Sequence, residues 1–227
     1  AAPALKPYSA TLLKNYQPKQ TDYLVTGIVP LYGFCITAGS PKIGKSWMEL
    51  DKACAVARGK QFLGCETKQK DVLYLALEDD EQRLRNRLDK MQINPEELTR
   101  LQFAHFTPTL KQDLILDIDR WSLNVQDPGL VAIDTLAYIK GGSNKSGNAY
   151  EQDYQLLQPL HSFTREKKLL TNCVTHLKKH KEDDSLAQVT GSFGQTGIAD
   201  VVYNLSRLKR NKSIATFLSS LLSGVRS

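Results

Sequence analysis

Long apolar runs are absent from the 227-residue sequence: the longest, such as Val72 to Leu77 and Leu130 to Ile133, fall far short of the ~20 residues a membrane-spanning helix requires. A transmembrane protein is therefore excluded, and no membrane partner is expected. Ala1 to Tyr16 has no basic start, unbroken apolar stretch and small-residue cleavage site, so no secretory signal is expected. Cysteine is scarce, and Cys35, Cys54, Cys65 and Cys173 form neither CxxC nor Cys/His spacings. That pattern argues against a zinc site or a disulfide framework and for reduced, structural thiols in a cytoplasmic protein. There is no internal repeat. Charge of one sign is also not dominant: 30 Lys+Arg against 24 Asp+Glu leave a net +6, too modest by itself to identify a polyanion partner.

What is present is ordinary globular material, with 41% hydrophobic and 24% charged residues, enough for one large domain with a full core. Four apolar segments end abruptly in polar or glycine-containing loops: Gly33 to Ala38, Val72 to Leu77, Leu130 to Ile133 and Thr171 to Thr175. Continuous rather than alternating apolar character predicts strands buried on both faces, as in a parallel sheet. Helical spacing occupies Lys45 to Arg58, Glu81 to Met91, Lys111 to Trp121 and Tyr150 to Lys168. Val201 to Leu205 and Ile214 to Leu218 read as further strands at one edge, and Leu101 to Phe106 as another. The alternation predicts an α/β fold, a mostly parallel twisted sheet flanked by helices. Residues 1–22, with Pro3, Pro7 and Pro18, read as an arm or linker, and residues 23–227 as a single domain.

One motif carries chemistry. Gly39-Ser40-Pro41-Lys42-Ile43-Gly44-Lys45-Ser46 matches the P-loop pattern GxxxxGK[ST] between an expected strand and an expected helix. Its glycines let successive N–H groups point inward at phosphate oxygens, and the following helix adds its positive end. Lys45 would reach the β and γ phosphates of ATP and Ser46 would ligate Mg²⁺. Asp134 ends an apolar strand, as a Walker B acid must, although an Asp-Thr pair also suits a turn or helix cap. Glu78, Asp79 and Asp80 end another. Glu78 could polarise an attacking water, whereas Asp79 and Asp80 suit the cap of the helix that follows; capping by all three is the alternative. His176 closes the Thr171 to Thr175 strand, positioned either as a surface histidine or as a sensor of the γ phosphate.

Several collinear segments resemble the RecA-like hexameric helicases, above all the plasmid-encoded RepA-type replicative helicases and related ATPases of mobile elements. They are GSPKIGKSW (Gly39 to Trp47), YLALED (Tyr74 to Asp79), RLRNRL (Arg83 to Leu88), VAIDTL (Val131 to Leu136), NAYEQDY (Asn148 to Tyr154), THLKK (Thr175 to Lys179) and TGSFGQTGIADVVYNLSR (Thr190 to Arg207). The resemblance implies a RecA-like P-loop NTPase core with Gly39 to Trp47 and Arg87 at the nucleotide, Ser46 and Asp134 at Mg²⁺, Glu78 as catalytic base and His176 as sensor. It also implies Arg207 as an arginine finger acting on a neighbouring subunit, with Lys209 and Arg210 as competing candidates.

The same resemblance places the polar loops Gly141 to Ala149 and Lys178 to Thr190 at a central channel, where Lys140, Lys145, Lys178, Lys179 and Lys181 would grip single-stranded DNA through its phosphates. The function it implies is an ATP-dependent single-stranded-DNA translocase or helicase of replication, a homohexameric ring with a replication initiator or primase as possible partners. The alternative readings are a recombinase-like filament, and a regulatory or loading ATPase in which nucleotide gates assembly without unwinding.

Overall fold

The computed structural model describes residues 5–17, 22–141, 149–176, 197–207 and 215–221. A short hairpin, β1 (Tyr23–Val25) with β2 (Val29–Pro30), precedes the main sheet. That sheet comprises β3 (Gly33–Gly39), β4 (Asp71–Ala76), β5 (Leu101–Ala104), β6 (Pro128–Asp134), β7 (Leu170–His176), β8 (Val201–Arg207) and β9 (Ala215–Leu221). Their order is β5-β4-β6-β7-β3-β8-β9, with the first six parallel and β9 antiparallel at the edge. The helices are α1 (Lys45–Arg58), α2 (Glu81–Lys90), α3 (Leu114–Asn124), α4 (Leu136–Lys140) and α5 (Ala149–Lys167).

Side chains alternate across the pleat, and both faces are covered. Along β3, Phe34, Ile36 and Ala38 join the core under α3, α4 and α5, while Cys35 joins the opposite core under α1, α2 and the hairpin. In β6, Val131 and Ile133 face the first core and Leu130 and Ala132 the second. This two-sided burial is why the strands read as uninterrupted apolar runs. Cys35, Cys54 and Cys173 are buried thiols, as the sequence implied, and burial pushes Cys35 and Cys54 up to about 12.

Three local features depart from the sequence reading. The third helix begins at Leu114 rather than Lys111 because the Gln112 side chain accepts from Thr109 N and Thr109 Oγ1, closing a turn ahead of it. Helix α4 and the β1–β2 hairpin were not expected; five residues, or strands of three and two, are too short to display a period. Within the proposed arm, Ala10–Asn15 forms a 3₁₀ helix with no buried residue, started by the Ser9 side chain accepting from Thr11 N.

Two polar arrangements tie the layers together. At the amino edge of the sheet, Arg100 donates from Nε and Nη2 to the two carboxylate oxygens of Asp71 (2.8 and 3.0 Å), and Asp127 N donates to Asp71 Oδ2 (2.6 Å). Beneath the sheet, fully buried Glu49 of α1 accepts from Lys52 Nζ (2.9 Å), from Asn172 Nδ2 of β7 (2.6 Å) and from Thr37 Oγ1 of β3 (3.4 Å). Burial raises the Glu49 carboxyl above its ordinary range, with Lys52 opposing.

The Arg100 fork holds Asp71 below the usual carboxylate range. Its stabilising contribution is therefore present above an unfolded-state pKa of ~3.9 and lost as pH falls through the folded value. Asp71→Asn is expected to cost about 1–3 kcal/mol in urea unfolding at pH 7, a difference that shrinks as pH falls below about 4. For the buried pair, Lys52→Met alone strands Glu49 and is expected to cost about 3–5 kcal/mol, whereas Glu49→Met with Lys52→Met removes both charges and is expected to cost less, about 1–3 kcal/mol, because the Asn172 and Thr37 donors lose their acceptor. Denaturant midpoints of the three chains check this.

Candidate functional site

The carboxyl ends of β3, β4, β6 and β7 meet at one edge of the sheet. Gly39 closes β3 and stands abreast of His176 on β7 and Leu205 on β8. A Cβ at Gly39 would lie 2.7 Å from the Leu205 carbonyl oxygen, so only glycine lets β8 approach this closely. The loop then turns through Lys42 (φ 61°) and Gly44 (φ 111°), and Gly44 caps α1 with no side chain satisfying the first N–H groups. The result is a concave run of donors at the N-terminus of a 14-residue helix, the arrangement that receives phosphate.

Lys45 is the hub. Its ammonium donates to Gly39 O (2.8 Å), Ser40 O (2.9 Å) and His176 Nδ1 (3.1 Å). An ammonium only donates, so Nδ1 accepts and the imidazole proton belongs on Nε2, which lies 4.0 Å from Glu78 Oε1. Burial lowers the Lys45 pKa, opposed by the charges of Asp134 and Glu78.

The acids are built into the same corner. Asp134 is buried at the end of β6, and Tyr74 Oη donates to its Oδ2 (3.2 Å). Burial raises the Asp134 carboxyl, with the nearby Ser46 and Tyr74 hydroxyls opposing. Its other oxygen, Oδ1, is buried without a hydrogen-bond partner. Such an orphaned acceptor next to the Ser46 hydroxyl fits a hard cation, and Mg²⁺ characteristically takes one or two protein ligands with phosphate oxygens. Glu78 follows β4 and accepts from Thr135 Oγ1 (3.3 Å).

Lys45, Ser46, Glu78, Asp134 and His176 thus lie together at one corner of the sheet. Asp80 alone caps α2, accepting from Arg83 N (2.7 Å). Asp79, expected as a second cap, is buried and bound to Arg87, whose guanidinium carbon sits 5.5 Å from the Trp47 ring centroid. Lys140, expected at phosphates, pairs with Asp153 of α5. Arg207 ends β8, two residues past the one abreast of Gly39. Lys145, Lys178, Lys179, Lys181, Lys209 and Arg210 lie outside the described residues. Sequence reasoning assigned no role to Tyr74 or Thr135. Each lies inside a quoted motif, and the available signal was a hydroxyl in an otherwise apolar strand and one directly after the strand-end acid.

A family model described as "AAA domain" matches residues 2–182, well over half of the chain. The chain belongs to this AAA domain family. No curated protein matches it. Among solved structures, one described as an ATPase domain superposes with a TM-score of 0.61 at 13% identity, covering 83% of this chain and 80% of that one. A DnaB-like replicative helicase, described with its interactions with primase, gives 0.61 at 14% identity over 84% of this chain, which spans only 56% of that chain. A KaiC-like protein from the hyperthermophilic archaeon Pyrococcus horikoshii OT3 gives 0.62 at 14% identity, covering 90% and 89%. The AAA domain therefore has a RecA-like fold, and its family and P-loop make it a P-loop ATPase.

Lys45→Ala removes the ammonium from the loop while leaving the sheet intact. Nucleotide affinity, read by calorimetric titration, is expected to fall at least roughly tenfold, equivalent to about 1.4 kcal/mol.

Proposed function

We propose that this AAA domain hydrolyses ATP and uses the cycle to move along single-stranded DNA, in the manner of replicative helicases of plasmids, phages or other mobile elements. The observation that carries the hydrolytic part is the convergence of Lys45, Asp134, Glu78 and His176 on the ends of four strands. In this reading the loop N–H groups and Lys45 bind the polyphosphate, Lys45 exchanging the Gly39 and Ser40 carbonyls for phosphate oxygens. Ser46 and Asp134 would hold Mg²⁺, which supplies neutralisation of the charge on the phosphate oxygens. Glu78, oriented by Thr135, accepts a hydrogen bond from the attacking water and draws off its proton. His176, bonded to Lys45 on one nitrogen and facing Glu78 with the other, links the phosphate end of the site to β7 and to the loop beyond it. Arg207 would act on the site of a neighbouring copy, making turnover depend on assembly into a ring.

The DNA-translocating part is supported by the resemblance in the motifs and by the likeness in fold to the DnaB-like replicative helicase. The phosphate-gripping lysines of that reading are Lys140, Lys145, Lys178, Lys179 and Lys181. Lys140's pairing with Asp153 favours a second reading, a regulatory ATPase in which nucleotide gates assembly without unwinding.

Steady-state ATP turnover with and without single-stranded DNA at two salt concentrations separates them. The motor reading expects stimulation by DNA that weakens with salt. It also expects loss of turnover by about two orders of magnitude or more in Glu78→Gln, since general-base catalysis contributes 10²–10⁴-fold. Turnover indifferent to DNA supports the regulatory reading.

A further inference from the structure

Arg87 stands outside the catalytic convergence yet is held on two sides. Its Nη2 donates to Asp79 Oδ1 (3.0 Å), and its Nη1 makes an ion pair with Asp79 Oδ2 but no hydrogen bond, so one directed bond and one charge contact hold the pair. The guanidinium carbon lies 5.5 Å from the centroid of Trp47, the third residue of α1, and Lys90 Nζ lies 6.0 Å from the same ring. The Asp79 side chain is only 4% exposed, and burial raises its pKa while Arg87 opposes that rise. The carboxylate therefore depends on Arg87 to remain a firm anchor.

Asp79 is bonded covalently to Glu78, and the corner they form is held by few contacts. His105 Nδ1 lies 2.9 Å from Asp79 O, Arg83 Nη1 donates to Glu78 O (3.3 Å), and Thr135 donates to the Glu78 carboxylate. Arg83 Nη1 also lies 3.7 Å from Asp79 Oδ1, but its side chain is largely exposed, so the buried Arg87–Asp79 pair is the better shielded of the two charged attachments. Through Trp47 the same guanidinium is registered against the helix that carries Lys45 and Ser46. A misplacement of about 1 Å can cost about 10²-fold in rate, so holding this corner has kinetic consequence.

We propose that Arg87 is a positioning residue that sets Glu78 against the P-loop helix through Asp79 and Trp47, rather than a ligand of the nucleotide. The inference rests on the reading of Glu78 as the carboxylate that orients water.

The test compares wild type, Arg87→Ala, Asp79→Asn and the double variant, measuring kcat and KM for ATP, nucleotide Kd by titration, and circular dichroism. A Trp121→Phe background isolates Trp47 emission. Both single variants are expected to lower kcat by roughly 10- to 100-fold with Kd within about threefold, the double variant being no worse than the poorer single. Trp47 emission is expected to change in both, because releasing Asp79 frees the guanidinium from the ring. A tenfold or greater rise in Kd for Arg87→Ala with kcat at saturation retained would overturn the proposal. So would an unchanged kcat in Asp79→Asn, or multiplicative losses in the double variant. If Arg87→Ala does not fold, the near-isosteric Asp79→Asn decides by the same split between kcat and Kd. A wild-type chain with no turnover overturns the hydrolytic reading and this inference with it, and the wild-type rate alone distinguishes that result.

Discussion

The pairing of β3 with β7 places Gly39 beside His176, and the rest of the site follows from that register. Parallel strands bring their carboxyl ends to a common edge, and each crossover must lay a helix over a face of the sheet. With the P-loop strand between β7 and β8, the helix after the loop packs beneath the strands whose far ends carry Glu78 and Asp134. A slip of one residue between β3 and β7 would turn His176 to the opposite face and break its contact with Lys45. The hydrogen bond at 3.1 Å between Lys45 and His176 is thus both a product of the sheet register and the link that makes one site of two strand ends.

Burying so many ionisable groups is costly, and each is compensated locally. Glu49 has Lys52, Asn172 and Thr37; Asp134 has Tyr74; Asp79 has Arg87. The compensation is incomplete at several atoms: Glu49 Oε1 and Arg87 Nη1 make ion pairs but no hydrogen bond, and at the phosphate-binding corner Asp134 Oδ1 has no hydrogen-bond partner. An unpaired acceptor in a low-dielectric corner is destabilising in the folded chain and stabilising to a cation that reaches it. Fold stability and cation affinity at this acid are coupled for that reason, and the Tyr74 hydroxyl keeps the carboxylate from being stranded on both oxygens.

Legibility in the sequence followed the length scale of each interaction. The strands were visible because two-sided burial writes continuous apolar runs, and the P-loop because its glycines, lysine and serine act within eight consecutive residues. Asp134 and Glu78 were visible as acids ending such runs. By contrast, Asp79 and Asp80 look alike in sequence, and the difference between a cap and a buried anchor depends on Arg87, about two turns into the helix that Asp80 caps. Tyr74 on Asp134 and Thr135 on Glu78 are contacts across 60 and 57 residues that no local pattern encodes. The short α4 and the hairpin carried too few residues for periodicity, and the start of α3 was shifted by one side chain, Gln112, turning back on Thr109.

Gly39 shows how the two ends of this reasoning meet. In sequence it is the first residue of a phosphate-binding motif, where glycine is explained by the loop that follows. In the fold its absent Cβ faces the Leu205 carbonyl at 2.7 Å, so the same glycine also sets how closely β8 can run beside β3. Because Leu205 and Arg207 belong to one strand, the spacing that admits β8 also fixes the distance from the P-loop to the strand end that carries Arg207. Any side chain at position 39 would therefore displace β8 as well as the loop. The requirement for glycine here is imposed twice, once by the turn that receives phosphate and once by the neighbouring strand.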